Sequence, residues 1–176
     1  MSIFRDKHKI LLYLWINLKK YLKENLASEV TNIPGNGYCF LGAVVEVLNV
    51  NYDDPVTEEQ LMQKVMKFLC LNYEKYTIYH AQGKEDKEPT IADTLLADII
   101  DFFADKHYNQ NAVDVLMKIV SDVLELALDI YQNNGGQIQV INFSVDNPKC
   151  TINVKFSHDN AHTVGNHYDA ITLLLK

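Results

Sequence analysis

The segment Ile33-Pro-Gly-Asn-Gly-Tyr-Cys-Phe-Leu-Gly-Ala43 constrains the fold of this chain more than any other. Its proline and glycines predict a tight turn, after which apolar residues follow at helical spacing to about Val50. Cys39 therefore stands at the start of a helix, where unpaired backbone N–H groups and the helix dipole favour a negative charge. Because the thiolate is the nucleophilic form of cysteine, this position favours reactivity. The simpler interpretation is a small cysteine buried in the first turn of a core helix.

A second segment, near the end of the sequence, supplies a partner for this cysteine. Residues 165–175 are rich in β-branched, aromatic and aliphatic side chains, which predicts a strand. Residues two apart on a strand face the same side, so His167 and Asp169 are neighbours while Tyr168 faces the other way. A carboxylate beside an imidazole fixes its tautomer and stabilises the imidazolium. Cys39, His167 and Asp169 are therefore the candidate catalytic residues of a thiol hydrolase.

Three segments resemble the ovarian-tumour (OTU) family of cysteine proteases. Asn36-Gly-Tyr-Cys-Phe is similar to the family's Asp-Gly-Asn-Cys-aromatic box, and His167-Tyr-Asp-Ala-Ile is similar to its His-aromatic-Asp/Asn strand. Asp122-Val-Leu-Glu-Leu-Ala-Leu resembles the Asp-x-x-Glu-Leu-x-Ala-Leu helix that those domains carry before a strand. The three segments occur in the family's order and span the chain from the cysteine box to its end. Within that box, Asn36 and Tyr38 stand where the family has Asp and Asn.

The resemblance implies an α+β fold of the papain-like OTU type, with helices packed around a small central sheet formed largely by the C-terminal strands. It also implies hydrolysis of the bond after the C-terminal Gly-Gly of ubiquitin or a ubiquitin-like modifier, with polyubiquitin chains among the partners and no cofactor. Asn36 and Gly37 are expected to shape the loop that forms the oxyanion hole. Asn36 can accept hydrogen bonds as the family's Asp does but carries no charge, which affects the geometry of the oxyanion hole and the rate more than the class of reaction. Asn166 and Tyr168, which flank His167, are expected to orient the imidazole or to line the substrate.

The composition is that of one acidic globular domain. The chain, 1–176, is long enough for one core, and a helix over about 3–26 is expected to belong to the domain or to pack on it. The net charge of −7 argues against nucleic-acid binding. Because Cys39, Cys70 and Cys150 form no disulfide pattern, we expect a reducing, cytoplasmic compartment. We also expect a monomer without membrane contact, since the apolar run between Lys9 and Lys19 is too short to span a bilayer. A lysine-rich, asparagine-rich bias is typical of AT-rich genomes, which points to the host cytosol for a protein of an intracellular bacterium or a virus.

Periodicity predicts helices over most of the first three quarters of the chain. Thr57 and Gln60 form a capping box that opens a helix, and an apolar stripe over 91–103 predicts another. Residues 111–132 are also predicted as helix, either continuous or broken near Ser121, and ended by Gly135-Gly136.

Alternating apolar residues predict strands over 137–143 and 151–156, which form the sheet together with the last strand. The loop 157–166 before that last strand holds His158 and His162. Structural zinc sites usually show paired cysteines or a helical His spacing, and this Asn/Gly-rich loop has neither. We therefore expect no metal.

Three other functions remain compatible with the sequence. A non-catalytic ubiquitin-binding module of the same fold is favoured by the departures at Asn36 and Tyr38, although an intact Cys, His and Asp set argues against it. A cysteine hydrolase of another acyl substrate would cleave small thioesters or amides and ignore ubiquitin. In a structural or interaction domain, Cys39 would be an inert thiol.

Overall fold

The described part of the chain places most of its helices before most of its strands. A computed structural model describes residues 20, 23–24, 28–35, 38–52, 55–80, 91–105, 110–134, 137–158 and 166–173. The elements in chain order are β1 (Ser28–Thr31), α1 (Cys39–Asn51), α2 (Glu58–His80), α3 (Ile91–Asp105), α4 (Gln110–Leu124), β2 (Ala127–Asn134), β3 (Gln137–Phe143), β4 (Thr151–His158) and β5 (Asn166–Leu173). Most of the helix predicted over 3–26 lies outside the described residues. The α+β class predicted from the sequence is confirmed.

Five strands form one mixed sheet in the order β1-β5-β4-β2-β3. Neighbouring strands are antiparallel except for β2 and β4, which are parallel. The strands predicted over 137–143 and 151–156 are confirmed as β3 and β4, and the sheet is formed largely by the C-terminal part of the chain. The order places β5, which carries His167 and Asp169, between β1 and β4.

Side-chain alternation along the strands gives the sheet two different faces. Buried residues on one face join the helices in the main core: Leu128, Ile130, Ile152, Val154, Tyr168 and Ala170. The opposite face carries a separate small apolar cluster around Tyr131 and Ile171. In the strand register, Lys155 is paired with Tyr131 on one side and with Asp169 on the other. A lysine and a carboxylate therefore meet on the face that points away from the main core.

Helix α1 packs on β5 and lies at the centre of the main core. The buried residues of α1 are Cys39, Phe40, Leu41, Gly42, Ala43, Val44, Val47 and Leu48. The rings of Phe40 and Tyr168 meet edge to face with their centroids 5.4 Å apart. Burying one Leu or Val side chain stabilises a fold by about 1.5–3 kcal/mol, so displacing this helix would be costly. The helix therefore holds Cys39 in a fixed position against the sheet.

The prediction of one helix over 111–132 is wrong in its second half. Helix α4 ends at Leu124, Glu125 adopts a positive φ of 54°, and the chain continues as β2. Strand β2 lies between β4 and β3, and residues on both of its faces are buried. Its sequence therefore lacks the alternation that reveals a half-buried strand. The family-like segment beginning at Asp122 covers the end of α4 and the start of β2.

Asp122 connects α2 to α4. Its carboxylate accepts hydrogen bonds from Lys75 at 2.9 Å and from the Tyr76 hydroxyl, both on α2, and from Lys118 on its own helix at 2.6 Å. Burial alone would raise the pKa of Asp122, but the hydrogen bonds from Lys118, Tyr76 and Lys75 outweigh it and lower the pKa below its ordinary value. The resemblance at Asp122 therefore falls on a packing contact.

The capping box at the start of α2 is confirmed. The Thr57 backbone N–H donates to Gln60 Oε1 at 2.9 Å, and the Gln60 backbone N–H donates to Thr57 Oγ1 at 3.2 Å. Each side chain thus satisfies a backbone donor of the other residue.

Within the described ranges, no helix combines the length and the apolar character that a bilayer crossing requires.

We expect Thr57→Ala to lower the free energy of unfolding by about 1 kcal/mol, because the Gln60 N–H loses its acceptor. Urea denaturation of the variant and of the wild type measures the difference. Thr57→Ser keeps the hydroxyl and is the control. A Thr57→Ala protein as stable as the wild type would contradict the role of this cap.

Candidate active site

The segment that follows β1 runs along β5 as far as Gly35. The backbone N–H of Ile33 donates to Asp169 Oδ1 at 3.2 Å. Two residues later the loop passes the imidazole, since a Cβ built at Gly35 would lie 3.9 Å from His167 Nδ1. The loop therefore runs antiparallel to β5, past the carboxylate and then past the ring. Cys39, at the start of α1, also lies beside His167, although the two are far apart in sequence.

Cys39 is the first residue of α1, and only 4% of it is exposed. The first turn of this helix contains no acidic residue, and Tyr38 at the N-cap position makes no side-chain hydrogen bond to it. The positive end of the helix is thus not neutralised by its own side chains within the described residues. Its backbone N–H groups favour a thiolate or a developing oxyanion beside Cys39.

The imidazole of His167 interacts with both the carboxylate and the thiol. Its Nε2 lies 2.9 Å from Asp169 Oδ1, and the ring also hydrogen-bonds Cys39. Because a carboxylate only accepts, Nε2–H is the donor to Asp169, which leaves Nδ1 for the thiol. The hydrogen bond with Asp169, followed by that with Cys39, raises the pKa of His167 to about 9 despite partial burial. At neutral pH the imidazole of His167 therefore carries a proton beside the Cys39 side chain.

The carboxylate of Asp169 is buried, with its side chain 2% exposed. Its Oδ1 accepts from His167 and from the Ile33 N–H, and its Oδ2 accepts from Lys155 Nζ at 2.7 Å. Burial raises the pKa of Asp169, but the hydrogen bonds from His167 and Lys155 outweigh it and lower the pKa to about 2. Lys155 is a site residue that the sequence did not reveal.

The remaining predicted site residues differ in their placement. Asn36 and Gly37 lie outside the described residues, and Asn166 is the first residue of β5. Tyr168 is 2% exposed and packs in the core against two phenylalanine rings, at centroid distances of 5.4 and 5.1 Å. It lies on the face opposite to His167, so it has a packing role rather than the orienting or substrate-lining role predicted for it. Among the side chains that the structure describes, no cluster of His, Cys, Asp or Glu suits a metal ion.

Comparison with known proteins identifies the fold. No protein-family model and no curated protein matches this chain. The crystal structure of an OTU deubiquitinase from Wolbachia pipientis wMel bound to ubiquitin is similar at a TM-score of 0.55 and 18% identity, covering 82% of this chain and 95% of that one. This chain adopts the OTU fold. The OTU domain protease of Dera Ghazi Khan virus gives a TM-score of 0.56 at 14% identity, covering 84% of this chain and 82% of that one. The OTU domain protease of Qalyub virus gives a TM-score of 0.51 at 21% identity, covering 84% of this chain and 83% of that one.

Tyr38, one of the two departures from the OTU cysteine box, anchors the nucleophile's loop. It is 4% exposed, and its hydroxyl donates to the backbone carbonyl of Phe103 near the end of α3. Its ring meets that of Phe102 edge to face, with the centroids 5.4 Å apart. An Asn side chain is too short to make these contacts. In this OTU fold the departure therefore fixes the residue before Cys39 to α3.

We expect the imidazole of His167 to titrate near pH 9, as the pKa above implies. Because this pKa lies above the ordinary 6.5, pairing with Asp169 stabilises the fold fully below pH 6.5, and that contribution is lost as the pH rises through about 9. Asp169→Asn replaces the charged acceptor of the imidazole with a neutral amide, so the pKa of His167 should fall towards 6.5. NMR of the imidazole Cε1–H group against pH measures both proteins, with His167→Gln to assign the signal. A wild-type midpoint at the ordinary value would contradict the coupling.

We expect Tyr38→Phe to lower the free energy of unfolding by about 1 kcal/mol, since it removes one hydrogen bond and keeps the ring. Tyr38→Asn, which restores the residue of the OTU box, should cost roughly 3 kcal/mol because it also leaves a cavity beside Phe102. Denaturant unfolding of both variants tests the order. An Asn variant more stable than the Phe variant would exclude an anchoring role for the ring.

Proposed function

We propose that this chain is a thiol-dependent deubiquitinase, which hydrolyses the bond after the C-terminal Gly-Gly of ubiquitin or a ubiquitin-like modifier. The observation that carries the proposal is the imidazole of His167, hydrogen-bonded to Asp169 and to Cys39 at the first position of a helix. A nucleophile, a base and a group that orients the base are what thiol-dependent acyl transfer requires. The OTU fold, shared with a deubiquitinase that was crystallised bound to ubiquitin, supports this modifier as the substrate.

In the proposed reaction, the thiolate of Cys39 attacks the carbonyl carbon of the modifier's terminal glycine while His167 holds the proton at Nδ1. Backbone N–H groups at the start of α1 and in the loop of Asn36 and Gly37 receive the oxyanion, and losing one such donor commonly raises the barrier by about 2.7–4 kcal/mol. His167 then gives its proton to the leaving amine, and a thioester remains on Cys39. The neutral imidazole next takes a proton from water, whose oxygen attacks the thioester and releases the modifier's carboxylate and the thiol.

We also propose polyubiquitin chains as partners and the cytoplasm, including the cytosol of a host cell, as the compartment. The similar structures from Wolbachia and from viruses support a setting inside host cells. The net charge of −7 supports a partner with a basic contact surface. The proposed active form is a monomer, because Cys39, His167 and Asp169 all come from one chain.

A ubiquitin probe with a thiol-reactive electrophile in place of its C-terminal carboxylate tests recognition and the nucleophile together. We expect intact-mass spectrometry to show a one-to-one adduct that peptide mapping assigns to Cys39. The adduct should be absent in Cys39→Ala and unchanged in Cys70→Ser, a matched control that removes an exposed cysteine outside the site.

An adduct on Cys70 alone, or one that survives Cys39→Ala, would contradict the mechanism. Ubiquitin that binds in a titration without forming an adduct would support the non-catalytic module instead. Neither binding nor an adduct would redirect the search to other modifiers, and then to hydrolysis of a different acyl substrate.

A further inference from the structure

Lys155 is a buried cation with one carboxylate beside it. Its Nζ lies 2.7 Å from Asp169 Oδ2, and the two side chains are only 9% and 2% exposed. Burying an ammonium group is unfavourable unless it is paired and hydrogen-bonded. A lysine on this strand would reach water at little cost if it faced outward, so its burial calls for a physical explanation.

The sheet fixes the contact between these two residues. Lys155 on β4 and Asp169 on β5 are directly paired in an antiparallel register, so their side chains project from the same face. The apolar cluster of Tyr131 and Ile171 lies on this face, and Tyr131 is the register partner of Lys155 on β2. The backbone from which Lys155 projects is therefore fixed by pairing with a strand on each side, β2 and β5.

The carboxylate has donors on both of its oxygens. Oδ1 accepts from His167 and from the backbone of Ile33, and Oδ2 accepts from Lys155. Donors on both sides set the plane of the carboxylate group, and that plane sets the direction of the Oδ1 contact with the imidazole. The positive charge of Lys155 also offsets the cost of keeping a charged carboxylate out of water.

We propose that Lys155 is a positioning residue of the active site: it keeps the Asp169 carboxylate ionised and oriented, so that His167 presents Nδ1 to Cys39. This role rests on the proposed function, since it concerns the same thiol chemistry. Lys155 touches neither the substrate nor the reacting atoms and acts only through Asp169. Once Asp169 no longer carries a carboxylate, Lys155 has nothing to position.

A double-mutant cycle tests this dependence. We expect Lys155→Met to lower kcat for a ubiquitin substrate by about tenfold to a hundredfold with little change in KM, because misorientation affects the chemical step. In an Asp169→Asn background, the same change should alter kcat by less than about twofold. The control is Lys118→Met, which removes a lysine from the separate Asp122 cluster and should leave kcat unchanged.

The same cycle is measured with iodoacetamide, following the alkylation of Cys39 by peptide mass spectrometry. This readout needs no ubiquitin, so it separates the two proposals. A wild-type protein that ignores ubiquitin but shows the non-additive alkylation pattern would reject the deubiquitinase and keep the role of Lys155. In the opposite case, the protein cleaves ubiquitin but the rate losses caused by Lys155→Met and Asp169→Asn multiply in the double variant. That result would support the deubiquitinase and reject the role of Lys155.

Lys155→Met leaves a buried carboxylate without its cation and can fail to fold. In that case the comparison is between Asp169→Asn and the double variant, neither of which contains that carboxylate. Equal alkylation rates support the proposal, and a further loss of more than about tenfold in the double variant overturns it. Wild-type kcat in a folded Lys155→Met protein also overturns it.

Discussion

The buried carboxylate of Asp169 is the constraint on which the loop, the sheet and the site all depend. A charge removed from water must be matched by donors, and here they come from the loop after β1, from β4 and from β5 itself. Moving any of these three elements would leave the charge unmatched. The backbone at Ile33 is therefore held by the same carboxylate that orients His167. Fold and site are stabilised together.

Elements with a strong local signal were predictable from the sequence. The reciprocal bonds of Thr57 and Gln60 involve residues three apart, so the capping box depends on one short segment. The pairing of His167 with Asp169 also has a local cause, because residues two apart on a strand share a face. Each of these predictions needed only the conformation of one short segment. The fold and the main residues of the candidate site could therefore be anticipated.

Features that depend on long-range partners were not predictable in the same way. Strand β2 has buried residues on both of its faces, so its sequence does not alternate and resembles a continuation of the helix. Nothing in the sequence around Lys155 indicates a role in the site, because its contact with Asp169 depends on the register of β4 against β5. Tyr38 likewise acquires its role only through a backbone carbonyl of α3. Register and tertiary contact decided these three cases, and no short window of sequence contains them.

The anchoring of Tyr38 also restricts how this chain can evolve. Its hydroxyl bonds to a main-chain carbonyl, so substitutions of the side chain at Phe103 leave the acceptor in place, whereas the ring of Phe102 must keep a shape that fits. A change of Tyr38 to asparagine would leave a cavity beside Phe102 in the core. Because the rings of Tyr38 and Phe102 pack against each other, we expect the effects of substitutions at these two positions on stability to be coupled. Packing around Tyr38 therefore disfavours asparagine at this position, independently of any selection on activity.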